Sequence, residues 1–202
     1  MTKRQKEGWL LVLLGLSMVI ASLLLHTTQE KRDTMAGENA AILLQQLQLN
    51  RMSIPDSVAA LQETVATPST MVMAEKDYLG YSMIGTLRIV ALGMELPVLS
   101  DWSYELLDVA PCRYSGSLPG KDLIIMGHNY KSHFTPLHHI TLGTEVEFED
   151  VNGVVTKFTV AQTEILHENH VDKLYSEHPL ILFTCTAGGQ NRFVVRCVVE
   201  NN

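Results

Sequence analysis

The sequence predicts a mainly β domain, a closed barrel or sandwich, carried behind one N-terminal membrane helix. Three observations predict it. Short β-type runs separated by turn signals recur from residue 83 onward. Helical periodicity is confined to a few brief pieces in that region. Ahead of it, Trp9 to Leu25 runs seventeen residues without a charge.

That run spans nearly the ~30 Å of a hydrocarbon core at 1.5 Å per residue. A cleaved signal peptide would end in a small-x-small site, whereas this stretch leaves through Leu23-Leu24-Leu25-His26-Thr27. A buried soluble helix is rarely apolar on every face. The run therefore reads as an uncleaved, single-pass anchor. Lys3, Arg4 and Lys6 precede it, and only Lys31 and Arg32 follow closely. This bias places the N-terminus in the cytoplasm and the body outside it.

Three segments follow from this: a cytoplasmic tip and anchor over 1–26, a partly helical stalk over 27–79, and a β domain over 80–202. In the stalk, Ala40–Leu49 reads as a short helix, Pro55 as the first turn of another, and Thr67-Pro68-Ser69-Thr70 as a break. In the β domain the expected strands are Ile84–Val90, Glu95–Leu99, Asp122–Met126, Thr144–Glu149, Val154–Leu166, Leu180–Thr186 and Arg192–Val199. Asp150-Val151-Asn152-Gly153 between alternating runs predicts a hairpin. Helical pieces are expected at Trp102–Val109, with Trp102 in a capping role, and at Pro136–Ile140.

The net charge of −7, without a basic stripe, argues against a nucleic-acid partner, because phosphate contacts need clustered cations. Three cysteines are too few for a disulfide scaffold. Cys185 closes an apolar strand just before Gly188-Gly189, where a thiol is placed for exposure. Buried free cysteines are usually inert, and reactivity needs a base or cation nearby. Two residues supply these. His128 closes the apolar run Leu123–Gly127, at the mouth of a barrel. Arg192 opens the strand after Cys185, so an antiparallel pairing would set its guanidinium beside the thiol. Arg196 shares that strand face but lies deeper.

With these residues in place, residues 83–200 resemble the sortases, cysteine transpeptidases of Gram-positive cell surfaces. The pieces that carry the resemblance stand in family order: Ser115-Gly116-Ser117-Leu118-Pro119-Gly120, Gly127-His128-Asn129, Phe134-Thr135-Pro136-Leu137, Phe183-Thr184-Cys185-Thr186 and Asn191-Arg192-Phe193-Val194-Val195. The resemblance implies the eight-stranded sortase-type β-barrel. It implies Cys185 as nucleophile, His128 as general acid/base and Arg192 as the oxyanion and substrate-orienting residue, with a backbone N–H near Thr186 assisting. Thr184, Thr186, Asn129 and Ser117 would border the substrate. The implied reaction cleaves an LPxTG-like sorting signal near a surface protein's C-terminus. The acyl group then passes to an amine of a peptidoglycan precursor peptide or a pilin lysine. A binding-only domain, or a purely hydrolytic one, is the alternative.

Other clusters carry weaker expectations. Glu145, Glu147 and Glu149 alternate on one strand face and could help hold calcium, which wants several oxygen ligands; a solvated face is the plainer reading. His128, His133, His138 and His139 lack zinc-ligand spacing and read as a surface histidine loop, so no metal is assigned. His167 and His170 are expected to face water. Pairing of Cys112 with Cys197 stays open, since it depends on a Cα approach within about 7 Å.

Overall fold

The protein is described here by a computed structural model covering residues 3–52 and 73–200. Helix α1 runs unbroken from Lys3 to Met52. The anchor and the stalk as far as Met52 are thus one rod of roughly 75 Å at 1.5 Å per residue, and the short helix expected at Ala40–Leu49 lies in its last turns. No proline or glycine pair interrupts residues 3–52, so nothing in the sequence stops the helix there. The expected helix at Pro55 and the break at 67–70 lie outside the described residues.

The strands are β1 (Lys76–Tyr78), β2 (Tyr81–Ile89), β3 (Met94–Leu99), β4 (Cys112–Ser115), β5 (Leu123–Met126), β6 (Glu145–Asp150), β7 (Val155–His167), β8 (Leu180–Cys185) and β9 (Asn191–Val199). A one-turn helix α2, Tyr104–Leu107, sits between β3 and β4. Their order is β1-β2-β3-β4-β5-β8-β9-β7-β6, and β6 pairs back onto β2. Eight strands, β2 to β9, therefore close a barrel, with β1 added beside the start of β2. The β3–β4 and β5–β8 pairs are parallel and the others antiparallel. Closure leaves no long edge to pair with other chains.

Every expected strand is present, six of the seven within one residue at each end; β2 starts three residues earlier than expected, at Tyr81. The hairpin is built by Asp150, whose Oδ1 accepts from the N–H groups of Asn152 (2.8 Å) and Val154 (2.9 Å). Two short strands escaped the sequence reading, β1 and β4, because three or four residues carry too little alternation to detect. The expected helix at 102–109 shrinks to α2. Ser103, whose Oγ accepts from Leu106 N–H at 3.1 Å, is its cap; Trp102 is not.

The main core fills the barrel with Ile84, Leu87, Leu123, Ile125, Phe134, Phe148, Leu180 and Leu182, all buried. A second cluster at one end joins Leu43 and Leu47 of α1 to Tyr78, Met83, Leu99 and Cys112. The apolar residues from Val12 to Leu25 stay exposed, away from the barrel.

Candidate active site

Strand register assembles the site. Along β8 the side chains alternate: Leu180 and Leu182 enter the main core, and Ile181 and Phe183 join a cluster on the other face. Cys185 falls by parity on the second face. Its antiparallel partner on β9 is Arg192. On the other side, β5 lies parallel to β8 with Met126 opposite Phe183, and Gly127 N–H donates to Phe183 O at 3.1 Å. His128 therefore leaves β5 level with the end of β8. Gly127 is required here: a Cβ would lie 2.7 Å from the Phe134 ring packed beneath it.

His128, Cys185 and Arg192 line one cleft of about 200 Å³. Its walls are apolar: Trp102, Tyr104, Tyr114, Val171 and Phe183. Trp102 packs on Tyr114 (centroids 5.7 Å), which packs edge-on against Phe183 (5.3 Å). Trp102 is thus cleft wall, in place of the capping role expected of it. A water-poor wall strengthens every charge interaction at the thiol.

Two contacts set the His128 ring. Its Nε2 lies 3.6 Å from Asp108 Oδ1, the same oxygen that accepts from the Tyr130 hydroxyl at 2.6 Å. Its ring rests on Tyr130, with centroids 4.7 Å apart. Burial lowers its pKa from the ordinary value, Asp108 opposes this, and the Arg32 charge lowers it further. Burial and the Asp108 carboxylate push Tyr130 up to about 12, so its hydroxyl remains a donor.

Arg192 is held by its own turn. Nη1 donates to Gly189 O (2.7 Å) and Asn191 O (3.2 Å), while Nη2 lies 3.9 Å from Glu168. Among the described residues, Nε and Nη2 have no hydrogen-bond acceptor, which leaves them for a ligand. Arg196 has a different role. Its guanidinium is buried and bonds Glu164 (2.6 Å), Ser176 Oγ (2.7 Å) and the carbonyls of Lys173 (2.6 Å) and Leu174 (3.1 Å). It pins the β7–β8 loop.

The remaining expected site residues fall elsewhere. Thr184 is fully buried on the core-facing side of β8, with its Oγ1 unpartnered, and does not line the cleft. The Thr186 N–H donates to Asn191 O at 3.0 Å, so it is occupied and not free for an oxyanion. The Asn129 side chain accepts from Thr135 Oγ1 at 2.8 Å and shapes the loop after β5. Ser117 Oγ accepts from Gly120 N–H at 3.0 Å in the β4–β5 turn. That turn sits at the Leu123–Leu180 end of the barrel, opposite the thiol. Asp108, Tyr130 and Glu168 were not singled out from the sequence, because their roles arise only when three loops meet.

Glu145 and Glu147 pair with Lys157 (2.7 and 3.1 Å), and Glu147 also with Arg88 (3.2 Å). Their charge is spent on cations across the sheet, which does not fit a calcium site. The histidine loop is not all surface: His133 is fully buried, while His138 stacks on Phe193 at 4.7 Å. His167 and His170 are exposed. Cys112 and Cys197 are both free and buried. Register places Cys112 level with Met126 and Cys197 level with Leu180, at opposite ends of the barrel, so they do not pair.

Known proteins share this fold. The family model described as "Sortase domain" matches residues 87–200. Among solved structures, Streptococcus pneumoniae sortase C is similar with a TM-score of 0.59 at 18% identity, covering 80% of this chain and 97% of that one. A Clostridium perfringens sortase D5 transpeptidase gives 0.58 at 12% identity, covering 83% and 99%. Streptococcus agalactiae sortase C1 gives 0.54 at 22%, covering 59% and 68%. Likeness at such identities concerns the fold. No curated protein matches. The family model covers more than half of the chain, over the strands that build the cleft, and the chain belongs to the sortase family of cysteine transpeptidases.

Proposed function

We propose that this protein is a membrane-anchored transpeptidase. It would cleave a C-terminal sorting signal of the LPxTG type and join the acyl part to an amine, on a peptidoglycan precursor or another surface protein. The observation that carries the reading is the register pairing of Cys185 with Arg192, with His128 delivered to the same cleft by β5.

The Cys185 thiolate attacks the scissile carbonyl carbon, and the C=O electron pair moves onto oxygen. The free Nε and Nη2 donors of Arg192 stabilise that oxyanion. As the tetrahedral adduct collapses, the C–N bond breaks and protonated His128 gives its proton to the leaving amine. A thioester on Cys185 remains. Neutral His128 then takes a proton from the incoming amine, whose nitrogen displaces the thiolate and forms the new amide. The apolar cleft wall disfavours water as competing acceptor. Helix α1, with its exposed apolar stretch, serves as the anchor and keeps the barrel outside the cytoplasm.

Product analysis with a library of sorting-signal peptides tests this. Joined amide should dominate when amine is added, with little cleavage in its absence. Equal cleavage with and without amine would instead establish a hydrolase, and no cleavage by folded protein would leave a binding domain.

A further inference from the structure

Helix α1 touches the barrel at the loop that carries the histidine. The Asp33 carboxylate accepts from the N–H groups of Lys131 (3.0 Å) and Ser132 (2.9 Å) and from the Ser132 hydroxyl (2.6 Å). Asp33 O can also accept from that hydroxyl, at 2.8 Å. These bonds join residues 98 and 99 positions apart, and the two amides lie at the apex of the loop. One helix face is shaped for the contact. Ala36, Ala40, Leu43 and Leu47 are buried at spacings of three and four. Gly37 lets the backbones approach: a Cβ there would lie 2.9 Å from Ser132 Cβ. Beneath the contact, His133 is fully buried, and both ring nitrogens lack a hydrogen bond, the Ala36 carbonyl facing the ring outside bonding geometry.

The clamped loop is the one that sets His128. Tyr130, the ring under His128, accepts through its carbonyl from the N–H groups of His133 and Thr135, both 3.0 Å. It therefore forms the base of the turn whose apex Asp33 holds. Arg32, one residue before Asp33, interacts with the Tyr130 hydroxyl and lies close enough for its charge to act on His128.

We propose that Asp33 of helix α1 is a positioning residue for His128, so that the membrane helix completes the catalytic loop of the barrel. This deepens the transpeptidase reading and rests on it for the role of His128. Asp33 touches no reacting atom. It fixes the Tyr130 turn, and through it the place and burial of the imidazole. Conversely, a barrel whose α1 is undocked holds Cys185 and Arg192 on their strands but presents a loosened histidine.

The test uses the full chain in lipid nanodiscs as wild type, Asp33→Ala, Asp33→Asn and, as control, Thr34→Ala, whose hydroxyl bonds only Glu30 O within the helix. Three quantities are read: amide exchange at Lys131 and Ser132, the His128 titration by NMR, and kcat and KM for peptide transfer. Asp33→Ala should speed exchange at both amides and move the His128 midpoint up towards its ordinary value, as burial is relieved. It should lower kcat by between about 10- and 100-fold with KM nearly unchanged, the scale of a displaced catalytic group. Asp33→Asn keeps the carbonyl oxygen for Ser132, and should recover part of each. An unchanged His128 midpoint in Asp33→Ala overturns the proposal, even if the amides exchange faster. If wild type transfers no peptide, the transpeptidase reading fails, while exchange and titration still decide whether Asp33 positions His128.

Discussion

At the residue scale, burial separates the three cysteines. Cys112 and Cys197 are fully buried, and desolvation pushes both thiols up to about 12, which leaves them nearly inert. Cys185 opens on the cleft beside Arg192. Alkylation of native protein followed by peptide mapping should label Cys185 alone, and all three in denaturant. Labelling of Cys112 or Cys197 in the folded protein would contradict the core described here. His128 gives a second test. Asp108 is the influence that raises its pKa and Arg32 one that lowers it. Asp108→Asn should thus move the NMR midpoint down, and Arg32→Gln should move it up. These roles were partly legible. Cys185, His128 and Arg192 each close or open a strand beside a turn, and strand parity needs only local sequence. Thr184, by the same parity, was readable as core-facing, and its assignment to the groove came from the resemblance alone. Asp108 and Tyr130 carry no local signal, since they meet only across 22 residues of chain.

At the element scale, alternation made the long strands readable, and brevity hid β1 and β4. The loop after β5 was misread because polar residues in a loop look solvated. His133 is instead sealed under α1, a contact 97 residues away in sequence that no periodicity announces. Burial depresses its pKa to about 4, the Ala36 carbonyl opposing and the His128 charge adding to the fall. The unfolded chain therefore binds a proton below pH ~6.5 that the folded chain refuses until about 4. Stability should fall as pH drops through that window, by up to about 3 kcal/mol. Thermal melts at pH 7 and pH 4.5 check this, and His133→Leu should flatten the dependence. Arg196 makes the complementary case. Removing its guanidinium leaves Glu164 and two loop carbonyls unpaired, so Arg196→Leu should cost about 3 kcal/mol. The denaturant midpoint reads that loss.

At the scale of the whole molecule, one helix links the apolar run to the loop that carries His128 without a break. Asp33 lies eight positions past Leu25 on the helix, a rise of about 12 Å. The histidine loop is therefore held close above the surface of any membrane that α1 crosses. A fluorophore at Lys131→Cys in a Cys185→Ala background should be quenched by headgroup-labelled lipids and hardly by chain-terminal labels. Quenching by neither would mean that the helix bends before the barrel.

The transpeptidase proposal turns on a nucleophilic Cys185 that carries the acyl group between two amines. Intact-mass spectrometry of the full chain with sorting-signal peptide tests it most directly, wild type beside Cys185→Ala. A thioacyl adduct should form on wild type only, map to Cys185 and discharge faster when amine is added. An adduct of equal yield on Cys185→Ala, or one whose loss ignores the amine, would contradict it.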